Sequence, residues 1–141
     1  MKFEDFIKNR QIKNTIKDMQ LAKSLLSTAE QDLEFFKTLP INNISARKIV
    51  SNYYDILRST LEALASLEGY KVYSHEAFTY YLKEKGEGDT SRKFERLRKI
   101  RNSINYYGKE ISAEEAKELV NEILALIGKI KSMLLKKMQH A

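Results

Sequence analysis

The sequence predicts an all-α protein, an antiparallel up-and-down bundle of about five helices. Three observations carry that expectation. Apolar residues recur at steps of three and four through most of the chain. The breakers are scarce, one Pro and five Gly, and they punctuate the apolar runs. No segment sustains the alternation of a strand, and neither a fixed-period repeat nor a low-complexity tract is visible.

The first apolar run is Ile12, Ile16, Met19, Ala22, Leu26, Ala29, Leu33 and Phe36, one stripe along a helix of many turns that Pro40 stops. Ser45 is placed to cap the second helix, which runs through Ile49, Tyr53, Ile56, Leu57, Thr60, Leu61, Leu64 and Leu67 to Gly69. With Tyr54, Ala63 and Ala65 added, its apolar surface is wider than a stripe, which predicts the most buried helix. A short third helix opens after Ser74, takes in Ala77, Phe78, Tyr81 and Leu82, and gives way to a glycine-bearing, mobile loop at Lys85-Gly86-Glu87-Gly88. Asp89 or Thr90 can cap the fourth helix, which puts Phe94, Leu97, Ile100, Ile104 and Tyr107 on one side and ends at Gly108. The fifth begins with the capping box Ser112 and Glu115 and continues through Leu119, Ile123, Ile127, Ile130 and Leu134, its acids first and its lysines last as the helix dipole prefers.

At 141 residues, 43% hydrophobic and 31% charged, the chain is long and apolar enough to fold as one domain spanning 1–141. Having no cysteine, it can build neither a disulfide framework nor a thiolate metal site. The N-terminus carries Glu4 and Asp5 where a signal peptide needs an apolar run, and no stretch approaches the roughly 18 apolar residues of a membrane span. A soluble, cytoplasmic protein with no membrane association is expected.

Familiar catalytic patterns are absent. The two histidines, His75 and His140, lack carboxylates at ligand spacing, so neither a metal nor another cofactor is expected. There is no serine elbow, and Gly86-Glu87-Gly88 lacks the third glycine, the lysine and the strand of a phosphate loop.

What stands out is charge. The formal net charge is +6, and residues 92–101 hold Arg92, Lys93, Arg96, Arg98, Lys99 and Arg101 against the single acid Glu95. Such a segment suits an anion-facing surface, or is simply a solvated helix face. At about 100° per residue, Phe94, Arg98, Arg101 and Asn105 share a flank beside the Leu97, Ile100 and Ile104 stripe. Arg101 therefore lies at the boundary of core and surface, its stem packed and its planar fork available to a phosphate or carboxylate. Arg92, Arg96, Lys99, Ser103 and Tyr106 fall outward, a looser anion surface or a solvated one. Tyr106 and Tyr107 allow two readings, rings buried at a helix end with wet hydroxyls, or aromatics stacking on a nucleobase beside the arginines.

Together with two long leading helices, several motifs resemble the HEPN superfamily: the pair Tyr53-Tyr54, the turn Gly69-Tyr70-Lys71, the helix start Ser74-His75-Glu76-Ala77, and Arg101-Asn102 in the fourth helix. The resemblance covers residues 18–137. It implies a helical bundle that forms a homodimer and is often paired with a small nucleotidyltransferase as toxin and antitoxin. Many members are metal-independent ribonucleases, whose signature is an Arg followed by a polar residue and, four to six positions on, a His. Arg101 and Asn102 match the first half. Where the His would fall stand Tyr106, Tyr107 and Gly108.

That departure weakens the expectation of catalysis, because a phenol ordinarily ionises near pH 10 and is a poor base. On a regular helix Tyr106 is also about 140° from Arg101, so joint action needs the helix to end early or a second protomer. His75 could substitute across a dimer or merely cap its helix. The leading expectation is a HEPN-like binding module whose Arg98, Lys99, Arg101, Asn102, Asn105, Tyr106 and Tyr107 face a nucleotide, RNA or an acidic partner. The alternatives are an endoribonuclease using Arg101 with Tyr106 or His75, and a purely structural partner of a nucleotidyltransferase.

Overall fold

The computed structural model describes residues 1–140, and among them are six helices and one two-stranded sheet. In chain order these are α1 (Phe3–Lys8), β1 (Ile12–Asn14), α2 (Met19–Lys37), α3 (Ala46–Leu67), β2 (Tyr70–Val72), α4 (His75–Glu84), α5 (Gly88–Tyr106) and α6 (Ala113–Gln139). The protein is mainly helical, as the periodicity predicts. The sixth helix is α1, too short to carry a periodic signal, which buries Phe3 and Phe6 against Tyr70, Tyr80 and Tyr81.

The expected first helix is cut in two. Ile12 is buried in β1, which pairs antiparallel with β2 in the register Ile12–Val72, Lys13–Lys71 and Asn14–Tyr70. Ile16, four residues on, is 89% exposed. The helix starts only at Met19, where the Asp18 carboxylate accepts from Leu21 N–H at 2.9 Å. A stripe that was continuous in sequence thus spans a strand, a connection and a helix. Gly69 makes the connection feasible: it sits at φ +87°, its carbonyl accepts from Thr15 N–H at 2.8 Å, and a Cβ there would stand 3.0 Å from the Thr15 carbonyl oxygen.

Helix α3 is the central element, packed chiefly against α2 and α6 and also against α5. Its apolar side chains form one continuous core with those of the surrounding elements. Ser45 precedes it but does not cap it. Its hydroxyl donates to the Pro40 carbonyl, and Asn42 Oδ1 accepts from the N–H groups of Ile44 and Ser45, both at 2.9 Å. Ser74 caps α4 by accepting from Ala77 N–H, and the Ser112 and Glu115 box opens α6 as expected. Gly128 breaks nothing and lies inside α6.

The start of α5 differs from expectation. The helix begins at Gly88 rather than after Asp89 or Thr90, so the preceding connection shrinks to a tight turn around Gly86 at φ +80°. Asp89 lies in the first turn and pairs with Lys93 at 3.2 Å, while Thr90 and Ser91 are buried. At the other end Tyr107 is not on the core side. It follows the last helical residue and is 84% exposed. No helix among the described residues is long and apolar enough to cross a membrane.

Candidate functional site

The basic run of α5 meets acids that its own sequence window does not contain. Arg92 and Lys93 share Asp89, and Arg96 bonds to Glu122 of α6. Arg98 grips Glu95 with two bonds, Nε to Oε1 at 2.5 Å and Nη2 to Oε2 at 3.1 Å. That grip holds the Glu95 carboxyl low: burial pushes it upward, but the Arg98 bond and charge and a bond from Thr79 outweigh burial. Lys99 is exposed. The segment is therefore not one uninterrupted cationic face.

Arg101 is the exception. Its side chain is 15% exposed, yet its acid, Asp55 of α3, stands 3.5 Å from Nη2 and is 44% exposed. Its Nε is buried and finds no hydrogen-bond acceptor among the described residues. The guanidinium carbon lies 5.4 Å from the centre of the Tyr54 ring and 5.9 Å from that of Tyr106. Two aromatic rings thus hold the flat group by packing and cation–π attraction while leaving donors unused. Tyr106 is the last residue of α5, and its ring lies near Arg101 within one chain despite the unfavourable angle on a regular helix.

Asp55 opens a cleft that sequence reasoning did not find. Arg47, Lys48, Ser51, Asn52 and Asp55 of α3, with Ile104 and Asn105 of α5, line a space of about 430 Å³. Ser51 donates to Asn105 Oδ1 at 2.8 Å, which orients the Asn105 amide. Arg47 and Lys48 make no ion pair among the described residues, so two cations face the cleft beside Arg101. A signal for it exists in the sequence: Arg47, Ser51 and Asp55 recur every fourth position, one polar line along the most buried helix.

Of the expected site residues, Arg101 and Asn105 border this cleft, one through Asp55 and the other directly. Tyr106 joins them through Arg101. Asn102 is half-buried, and Arg98 is engaged by Glu95. Lys99 and Tyr107 are exposed and outside the cleft lining.

His75 stands at the start of α4, outside the cleft lining, with Nδ1 3.1 Å from the Tyr54 hydroxyl. That hydroxyl is buried and has no other acceptor among the described residues, so it donates to Nδ1 and leaves the proton of His75 on Nε2. Burial pushes the His75 pKa down to about 4, and the charges of Arg58, Arg101 and Arg98 depress it further. Burial likewise raises the Tyr54 phenol. At neutral pH the pair is uncharged, and the free imidazole nitrogen is a donor rather than a base. Among the described residues no cluster of three or more His, Asp or Glu could hold a metal ion.

No protein-family model matches this chain, and no curated protein matches it either.

Proposed function

We propose that the chain is a HEPN-like module, an up-and-down bundle working as a homodimer, that binds nucleotide or RNA through the cleft between α3 and α5. One observation carries the reading: Arg101 is held between two aromatic rings with Nε unpaired and only a long, half-exposed contact to Asp55. A largely buried guanidinium without a full set of acceptors is costly, and since Nε is closed to solvent a phosphate oxygen would meet the Nη groups, whose one acidic neighbour is Asp55 at 3.5 Å. Arg47, Lys48 and the Asn105 amide supply further donors along the cleft, and Tyr106 offers a face on which a base can stack. A small nucleotidyltransferase is the protein partner this reading names.

A second reading, a metal-independent endoribonuclease, is favoured by the approach of Tyr106 to Arg101 in one chain. Tyr106 is the better proton-transfer candidate there, since the one basic nitrogen of His75, Nδ1, is engaged by the Tyr54 hydroxyl.

Both readings meet in one experiment, metal-free incubation with fluorescent single-stranded RNA. Arg101→Ala is expected to weaken affinity by at least about tenfold, the scale of one charge-assisted hydrogen bond, and affinity should fall with added salt. Binding indifferent to both changes removes the proposal. Cleavage that vanishes in the variant would promote the ribonuclease.

A further inference from the structure

We infer that the two-stranded sheet carries a second RNA contact, a groove at Tyr73 flanked by Arg10, Lys13 and Lys71, so that the ligand is a single strand long enough to reach it from the α3–α5 cleft. The inference rests on the anion-binding reading above and narrows its ligand from a nucleotide to a strand. Its starting point is a pair of like charges. Thr15 N–H donates to the Gly69 carbonyl at 2.8 Å and Tyr73 N–H to the Gln11 carbonyl at 2.7 Å, which makes Lys13 and Lys71, midway between them, a hydrogen-bonded pair. Their side chains leave the same face of the sheet from Cα atoms about 5.5 Å apart, an arrangement that costs stability unless an anion answers it.

No carboxylate of the fold does so. Among the described residues neither lysine, nor Arg10, makes an ion pair. Arg10 and Lys13 line a groove of about 610 Å³ with Ile7, Ile12, Asn14 and Tyr73, and no acid stands in its wall. Asp18 and Glu62 share a neighbouring groove with Lys13 and Lys71, but Asp18 is engaged in capping α2 and Glu62 in binding Arg58 at 2.5 Å. Arg10 keeps its place at φ +61°, a left-handed backbone that glycine would adopt more readily. The exposed Tyr73 ring, with Lys71 Nζ 5.3 Å from its centre, adds a flat surface. An aromatic face among unpaired cations fits a base stacked on the ring with its phosphates on the lysines, whereas an acidic peptide would leave the ring unused. Groove and cleft are joined along one side of α3. Arg47, Ser51, Asp55 and Arg58 lie within about 80° of one another around that helix. The charge of Arg58 reaches His75, and His75, two residues past Tyr73, meets Tyr54, the ring that Arg101 overlies at 5.4 Å.

The test compares oligouridylates of about four and about twelve nucleotides, the range of single-strand sites, by fluorescence anisotropy. The unmodified protein should bind the long strand about a hundredfold more tightly, beyond what its choice of registers supplies. The double variant Lys13→Gln, Lys71→Gln relieves a repulsion and should stay folded; it should lose most of that gap and part of the salt dependence. Tyr73→Ala should narrow the gap and Tyr73→Phe should keep it. Lys23→Gln with Lys37→Gln, the same change of charge at exposed α2 lysines outside both linings, should leave it intact. The inference is overturned by a long strand bound no better than its registers allow, by a gap that survives in Lys13→Gln, Lys71→Gln, or by oligoglutamate displacing the long strand as readily as unlabelled strand does. In each of those cases a short strand weakened by Arg101→Ala leaves the cleft reading standing, whereas no binding by either strand removes both.

Discussion

Arg101 shows how little of a residue's role lies in its charge alone. Six cations stand between positions 92 and 101, and four of them, Arg92, Lys93, Arg96 and Arg98, are spent on carboxylates within the fold. What distinguishes Arg101 is a buried Nε without an acceptor. His75 is distinguished by the same logic of incomplete surroundings. Its pKa of about 4 lies below the ordinary 6.5, so as pH falls the unfolded chain takes up the proton first. The contribution of neutral His75 to stability is therefore complete above about pH 6.5 and is lost progressively toward pH 4. Thermal melts of His75→Gln should lose about 1 kcal/mol less than the unmodified protein between pH 7 and pH 4.5, a figure reduced for partial exposure. Parallel curves would contradict the neutral Tyr54–His75 pair.

At the scale of elements, the long helices were legible because each buries a stripe, and the ends marked by Ser74 and Ser112 were legible because capping is local chemistry. The two-stranded sheet was not. Its strands, Ile-Lys-Asn and Tyr-Lys-Val, are three residues each and lie far apart in sequence, so their pairing is created by tertiary packing. Ile12 and Ile16 continue the spacing of α2 by coincidence. The same limit applies to the site: Arg101 at the edge of the core follows from helical angle, whereas its meeting with Asp55 depends on how α3 and α5 are set side by side. Gly69 tests this account of the sheet. Gly69→Ala combines a left-handed backbone with a close approach to Thr15, and is expected to cost about 1–2 kcal/mol in denaturant unfolding. An unchanged midpoint would show that this crossing is slack.

Across the whole molecule, the ends of the long helices are tied by one carboxylate. Glu68, just past α3, accepts from Tyr81 and Lys85 near the end of α4 and pairs with Lys137 of α6 at 2.6 Å. Burial pushes the Glu68 carboxyl upward, and the bonds from Lys137, Lys85 and Tyr81 more than offset this, leaving it below its ordinary value. Its contribution is present above the ordinary carboxylate range and is lost as pH falls through the lowered one. Glu68→Gln should cost about 2 kcal/mol at neutral pH, and the difference from the unmodified protein should shrink in acid. This lock lies at the end of α3 opposite Arg47 and Lys48, so it can be weakened without touching the anion cleft.

The cleft itself depends on one guanidinium having donors to spare. The most direct measurement is the NMR signal of the Arg101 Nε–H while a 5′-phosphorylated oligouridylate is titrated in. The account predicts a saturable shift of that resonance with the same midpoint as binding seen by anisotropy. An Arg101 signal that stays fixed while the strand binds would place the anion elsewhere and contradict the account.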